Sequence, residues 1–160
     1  MTVMRFDCHR GITPLLWAFA ALATTELLVV HLVLSLRWPR LAWGLTLITV
    51  ISLVWLVHWI GSFRRRPHEL GSDSIRLRCG TLREIELPLN RISQVRSSWS
   101  AGEHRGSGVA NLVPIAYPNR LFDLDPPIRG PRGSMHRVAV RVDEPEKLDF
   151  ALAQLGVKIA

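Results

Sequence analysis

Residues 15–36 read LLWAFAALATTELLVVHLVLSL, residues 41–63 read LAWGLTLITVISLVWLVHWIGSF, and Arg37-Trp38-Pro39-Arg40 stands between them. These runs of 22 and 23 residues decide the fold. From Leu15 to Phe63 the only formal charges are Glu26, Arg37 and Arg40, and two of those three sit in the break. A helix lying on a soluble core shows a charged face at every turn, and neither run has one. A bilayer core takes ~20 apolar residues of helix. Proline has no backbone donor and disfavours helix before it, so the break reads as a tight turn between two antiparallel membrane-spanning helices. Trp17, Trp38, Trp43, Trp55 and Trp59 lie in or beside the runs, four of them near an expected membrane–water interface.

Working outward, the chain has 160 residues, 48 % of them hydrophobic, and a net charge of +7. Disorder is excluded by that apolar content, and a disulfide scaffold by the two cysteines. A cleaved signal peptide ending at Ala21-Leu22-Ala23 conflicts with an apolar run that continues unbroken to Leu36. Arg5 and Arg10 precede the first run, and Arg64, Arg65 and Arg66 follow the second, with Arg76 and Arg78 beyond. By the positive-inside rule both termini are expected in the cytoplasm of a multi-pass cell-membrane protein, with Cys8 and Cys79 as thiols. The basic balance is attributed to membrane flanks. Anionic lipid headgroups are the expected partner, and no basic helix, zinc pattern or stacking motif points to nucleic acid. Cys8, His9, His68 and Cys79 fit no usual metal spacing.

Inside the runs, Glu26 is the ionisable group that asks for a role. With the turn centred between Trp38 and Pro39, residues at equal depth have numbers summing to about 77. Glu26 is then level with Thr49 and Ser52, and His31 with Thr46. The simplest reading is a Glu26 carboxyl hydrogen-bonded to Thr49 or Ser52, helping the helices pack. The sharper one is a small transport or proton-relay subunit. His58 lies about 10 Å from Glu26 in depth, a poor pair.

From His68 the texture changes. Gly71-Ser72-Asp73 reads as a linker. Residues 74–79 and 82–87 alternate apolar and polar about Gly80, which predicts a hairpin. Further strands are expected near Val95–Ser97, Leu112–Ala116, Arg120–Leu124 and Arg137–Val142, with loops at Ala101–Gly108 and Asp125–Gly133. Asp143 is placed to cap a last helix that starts at Pro145, stops before Gly156 and buries Leu148, Ala151, Leu152 and Leu155. The fold class is therefore α+β: an N-terminal segment 1–14, a helical hairpin 15–63, and a cytoplasmic domain 64–160 of short strands closed by a helix.

Leu77-Arg78-Cys79-Gly80-Thr81-Leu82, Leu87-Pro88-Leu89-Asn90-Arg91-Ile92-Ser93-Gln94-Val95 and Val140-Arg141-Val142-Asp143-Glu144-Pro145 carry a resemblance. In this order, after two spans, they resemble bacterial membrane proteins with a pleckstrin-homology-like domain, in particular uncharacterised actinobacterial ones. The resemblance implies a bent β-sandwich or barrel closed by a C-terminal helix, and little chemistry. Phosphoinositide binding does not carry over, because Cys79-Gly80-Thr81 holds no cation.

Ser107 lies between glycines without the strand-to-helix setting of a nucleophile elbow, and His104 and His136 stand alone. No phosphate loop, paired histidine ligands or dinucleotide fingerprint is present, so no catalytic residue, metal or cofactor is assigned. The leading expectation is a non-catalytic interaction module at the membrane surface, with Arg64, Arg65 and Arg66 at headgroup level. Its protein partner is unspecified, and a homo-oligomer is one option. A membrane-bound enzyme using the cytoplasmic loops is the third reading.

Overall fold

A computed structural model of the chain describes residues 3–113, 115–130 and 133–160. Helix α1 spans Thr13–Ser35 and α2 spans Pro39–Arg65, each with a proline in its first turn, where a missing N–H costs nothing. Both are long and apolar enough to cross a membrane, and only 6 % of the most apolar window of each is buried inside the protein. That exposure separates them from core helices of a soluble fold.

Two four-stranded sheets complete the chain and do not close into a barrel. The first runs β1 (Met4–Phe6), β2 (His68–Leu70), β3 (Ser74–Cys79) and β4 (Arg83–Pro88), antiparallel in that order. The second contains β5 (Ile92–Arg96), β6 (Val109–Asn111), β7 (Arg120–Gly130) and β8 (Gly133–Val140), in spatial order β5-β7-β8-β6. Its β6–β8 pair is parallel. Helix α3 (Pro145–Gln154) leads the last residues back to β5, where Val95 N–H donates to Lys158 O at 2.8 Å.

Strand β1 precedes α1 and β2 follows α2, yet they pair, Met4 opposite Leu70 and Phe6 opposite His68. The helical hairpin is thus inserted between two neighbouring strands of one sheet. Gly71-Ser72-Asp73 is accordingly the β2–β3 turn and not a linker, closed by Gly71 N–H to Ser74 O at 2.9 Å. Chain passes from α2 to β2 through Arg66 and Pro67 alone.

Buried residues of both sheets, α3 and the adjoining ends of α1 and α2 form one cluster. Strand β3 shows strict alternation, Ile75, Leu77 and Cys79 inward. Three expectations change. Residues 125–130 continue β7, because its partner β5 begins opposite Leu124 and reaches no further, and the β7–β8 register is broken between Asp123 and Ile128, so Pro126 and Pro127 interrupt no ladder. Pro131 and Arg132 of the expected loop lie outside the described residues. The strand expected at Leu112–Ala116 falls at Val109–Asn111, with Leu112 and Val113 buried beyond it; Pro114 is outside the described residues. Leu155 is exposed, because α3 ends at Gln154 and Gly156, at φ +83°, lets Val157 N–H return to Leu152 O at 3.0 Å.

Arg120, almost fully buried, grips the Asp149 carboxylate through Nε (2.8 Å) and Nη2 (2.5 Å), tying α3 to β7. Leu152 is wholly buried in the common core. Leu152→Ala should lower the unfolding free energy by about 2–5 kcal/mol, and Leu152→Asp should prevent folding. Denaturant titration in detergent, followed by circular dichroism, measures both.

Candidate functional site

Two places carry the polar chemistry. The first is a shallow groove of about 170 Å³ between α1 and α2, lined among others by Ala23, Glu26, His31, Ala42, Thr46 and Thr49. Ala23 and Ala42 leave it open. His31 Nδ1 and Thr46 Oγ1 are hydrogen-bonded at 2.6 Å, and the His31 ring meets Trp43 edge-on at 5.0 Å. The depth relation that put Glu26 beside Thr49 and Ser52 gives no hydrogen bond. Thr49 Oγ1 donates to Leu45 O at 3.0 Å and Ser52 Oγ to Ile48 O at 2.9 Å, each satisfied within its own helix. Glu26 is exposed on the surface of α1, and among the described residues no hydrogen bond or ion pair reaches it.

The second place is the base of the helix pair. Trp59, Ile60 and Phe63 enter the domain core, so Trp59 is a core residue and not an interfacial anchor. Buried Ser62 donates to Trp59 O at 2.6 Å and accepts from Thr81 N–H at 3.2 Å, docking the β3–β4 turn on α2. Gly80 takes φ +53°, and a Cβ there would collide with Ser62 Oγ. Only glycine fits both conditions.

Asp143 does not cap α3, whose N-cap is Glu144 without a side-chain bond. Its carboxylate accepts His9 N–H at 3.0 Å and Arg10 N–H at 2.9 Å, while Asp143 N–H donates to Asp7 O at 2.8 Å. The approach to α1 is thereby clasped to the end of β8. His68, also buried, accepts Arg78 N–H on Nδ1 at 2.9 Å and donates from Nε2 to Arg141 O at 3.2 Å. Cys8 and Cys79 are buried, and burial pushes their thiols up to about 12 and about 11. Among the described residues no group of three His, Cys, Asp or Glu side chains is arranged to hold a metal.

The arginines differ in whether an acid meets them. Arg76 and Arg78 of the first hairpin pair with Glu69, Glu84 and Glu86, and Arg5 with Glu69. Arg96 and Arg137 pair with Glu103 and Asp123. Arg64, Arg65 and Arg66 at the end of α2, with Arg10 and Arg83 of neighbouring segments, are exposed and have no acidic partner among the described residues. The sequence singled out Arg64–Arg66 by position. It gave Asp143 the cap of α3 and His68 no role, because their actual bonds join residues 134 and 73 apart in the chain, where no local signal exists.

The fold is α+β with two long apolar helices, and no family model, curated protein or solved structure matches the chain.

Burial holds His68 down to about 4, against an ordinary value of 6.5, with the bond to Arg141 opposing. Between those values the unfolded chain takes up the proton and the folded one does not. Stability should therefore fall by roughly 3 kcal/mol as pH drops from 6.5 to about 4, and be flat for this group above 6.5. The difference between wild-type and His68→Gln unfolding curves over that range isolates it.

Proposed function

We propose that this chain is an integral membrane protein that presents a pleckstrin-homology-like interaction module at the cytoplasmic surface of a bacterial cell membrane, and that it works by binding and not by catalysis. The observation that carries the reading is the core common to the sheets and the helix base. Ile12, Leu16, Trp59, Ile60 and Phe63 belong to the same cluster as Leu77, Val138 and Leu152. A domain joined in this way is held in one pose against the bilayer.

The lengths agree with that pose. Mostly uncovered, α2 runs from Leu41 to His58 before entering the domain, roughly 27 Å against a hydrocarbon core of ~30 Å. Arg64 lies six residues further, roughly 9 Å on, at headgroup level. Three arginines there, without acidic partners among the described residues, attract anionic lipid by roughly 1 kcal/mol each. The strand arginines contribute little, being balanced by Glu69, Glu84 and Glu86. The N-terminal segment lies on the same side as the domain, through the β1–β2 pair.

Cys79 is buried and reports on neither side, whereas Ser72 is exposed in the β2–β3 turn. A Ser72→Cys variant should resist an impermeant maleimide in intact cells and react in inverted vesicles; the opposite pattern refutes the orientation. In reconstituted bilayers, brominated anionic lipid should quench tryptophan more than brominated neutral lipid does. Arg64→Gln with Arg65→Gln and Arg66→Gln, or raised salt, should remove the preference. Equal quenching by both lipids in the wild type leaves the arginines as a topology signal only.

A further inference from the structure

Glu26 sits near the middle of α1, on the surface and with no partner among the described residues, and the hydroxyls of Thr49 and Ser52 are spent on their own helix. A carboxyl left in hydrocarbon is costly, so something must meet it. Phe19, Leu22, Glu26, Val29, Val33 and Leu36 follow alternating spacings of three and four, the heptad pattern of a helix-pairing seam, and the five apolar members are half exposed or more. This seam lies roughly 100° around α1 from the one that packs on α2 (Leu16, Ala20, Ala23, Leu27), since it is offset by one residue. It borders the groove that Ala23 and Ala42 leave open.

We propose that a second copy of this chain covers that face, forming a parallel dimer about an axis along the membrane normal, with Glu26 meeting Glu26. Two copies of one chain share one topology, so the same residue falls at the same depth in both without adjustment. A carboxylic acid is donor and acceptor at once, so two of them satisfy each other across the axis. The single polar position in an otherwise apolar seam then fixes register, as an isolated polar residue does in a coiled coil. A different protein would have to offer a matching group at the same depth, and nothing in this chain calls for one. The inference rests on the membrane-spanning reading.

The test is energy transfer between donor- and acceptor-labelled Ser72→Cys chains in fluid phosphatidylcholine bilayers, read as lipid is added. Flotation of the same vesicles is measured first. Wild-type chains should float with the lipid and show transfer that falls on dilution along a monomer–dimer curve. Glu26→Leu should weaken association about tenfold, corresponding to a loss in the range known for polar contacts between membrane helices. Glu26→Gln should keep most of it, the amide also being donor and acceptor. Leu28→Gln, placed off the seam, controls for a changed span. Chains that float but show no transfer, or a Glu26→Leu variant that associates as the wild type does, overturn the dimer and leave the membrane reading intact. Wild-type chains that do not float overturn both.

Discussion

The pairing of Met4–Phe6 with His68–Leu70 is the constraint on which the rest depends. Adjacent strands lie ~4.8 Å apart, whereas packed helix axes lie ~8–10 Å apart. Inserting a helical hairpin between two such strands therefore forces the chain to converge at the helix base. The convergence explains what is found there: Asp143 holding the His9 and Arg10 amides, Ser62 and Gly80 in close approach, and His68 bridging Arg78 and Arg141. Each ties one side of the insertion to the sheets. A flexible linker would have needed none of them.

Burial of polar groups at that junction is complete enough to set its chemistry. Burial keeps His68 neutral, with its Nδ1 accepting the Arg78 N–H, and burial likewise keeps the two thiols protonated. These groups hold structure and are not free to ligate or react. Outside the junction the charges are sorted by place. Strand arginines meet glutamates across neighbouring strands, and those at the end of α2 meet none among the described residues. Arg37 and Arg40 at the hairpin turn and Arg91, Arg105 and Arg129 in the domain likewise have no salt bridge among the described residues, so the excess of +7 is spread over the molecule, with its densest run at Arg64–Arg66.

Within the apolar helices the same accounting separates His31 from Glu26. His31 finds Thr46 across the hairpin, and Thr24, Thr25, Thr49 and Ser52 return their hydroxyls to carbonyls of their own helices. Glu26 alone among these groups has no hydrogen-bond partner among the described residues, although it lines the groove between α1 and α2 with Thr46 and Thr49. Equal depth brings two residues to one level; rotation about the helix axis decides whether they touch.

Sequence alone determined the helical pair, since two apolar runs of bilayer length parted by Arg-Trp-Pro-Arg admit one local solution, and period-two alternation marked β3 and β4. It determined the last helix too, through Pro145 and Gly156, and the His31–Thr46 level, through a fixed rise per residue. Tertiary structure decided the β1 strand, the fate of Gly71–Asp73, the passage of β7 through Pro126 and Pro127, and the role of Asp143. It also decided that Trp59 is core and Glu26 surface. The division has one physical cause. Periodicity and turn chemistry act over a few neighbouring residues and are written in order along the chain. A three-residue strand, or a carboxylate that serves two amides 133 and 134 positions away, acquires its meaning only when folding brings distant segments together.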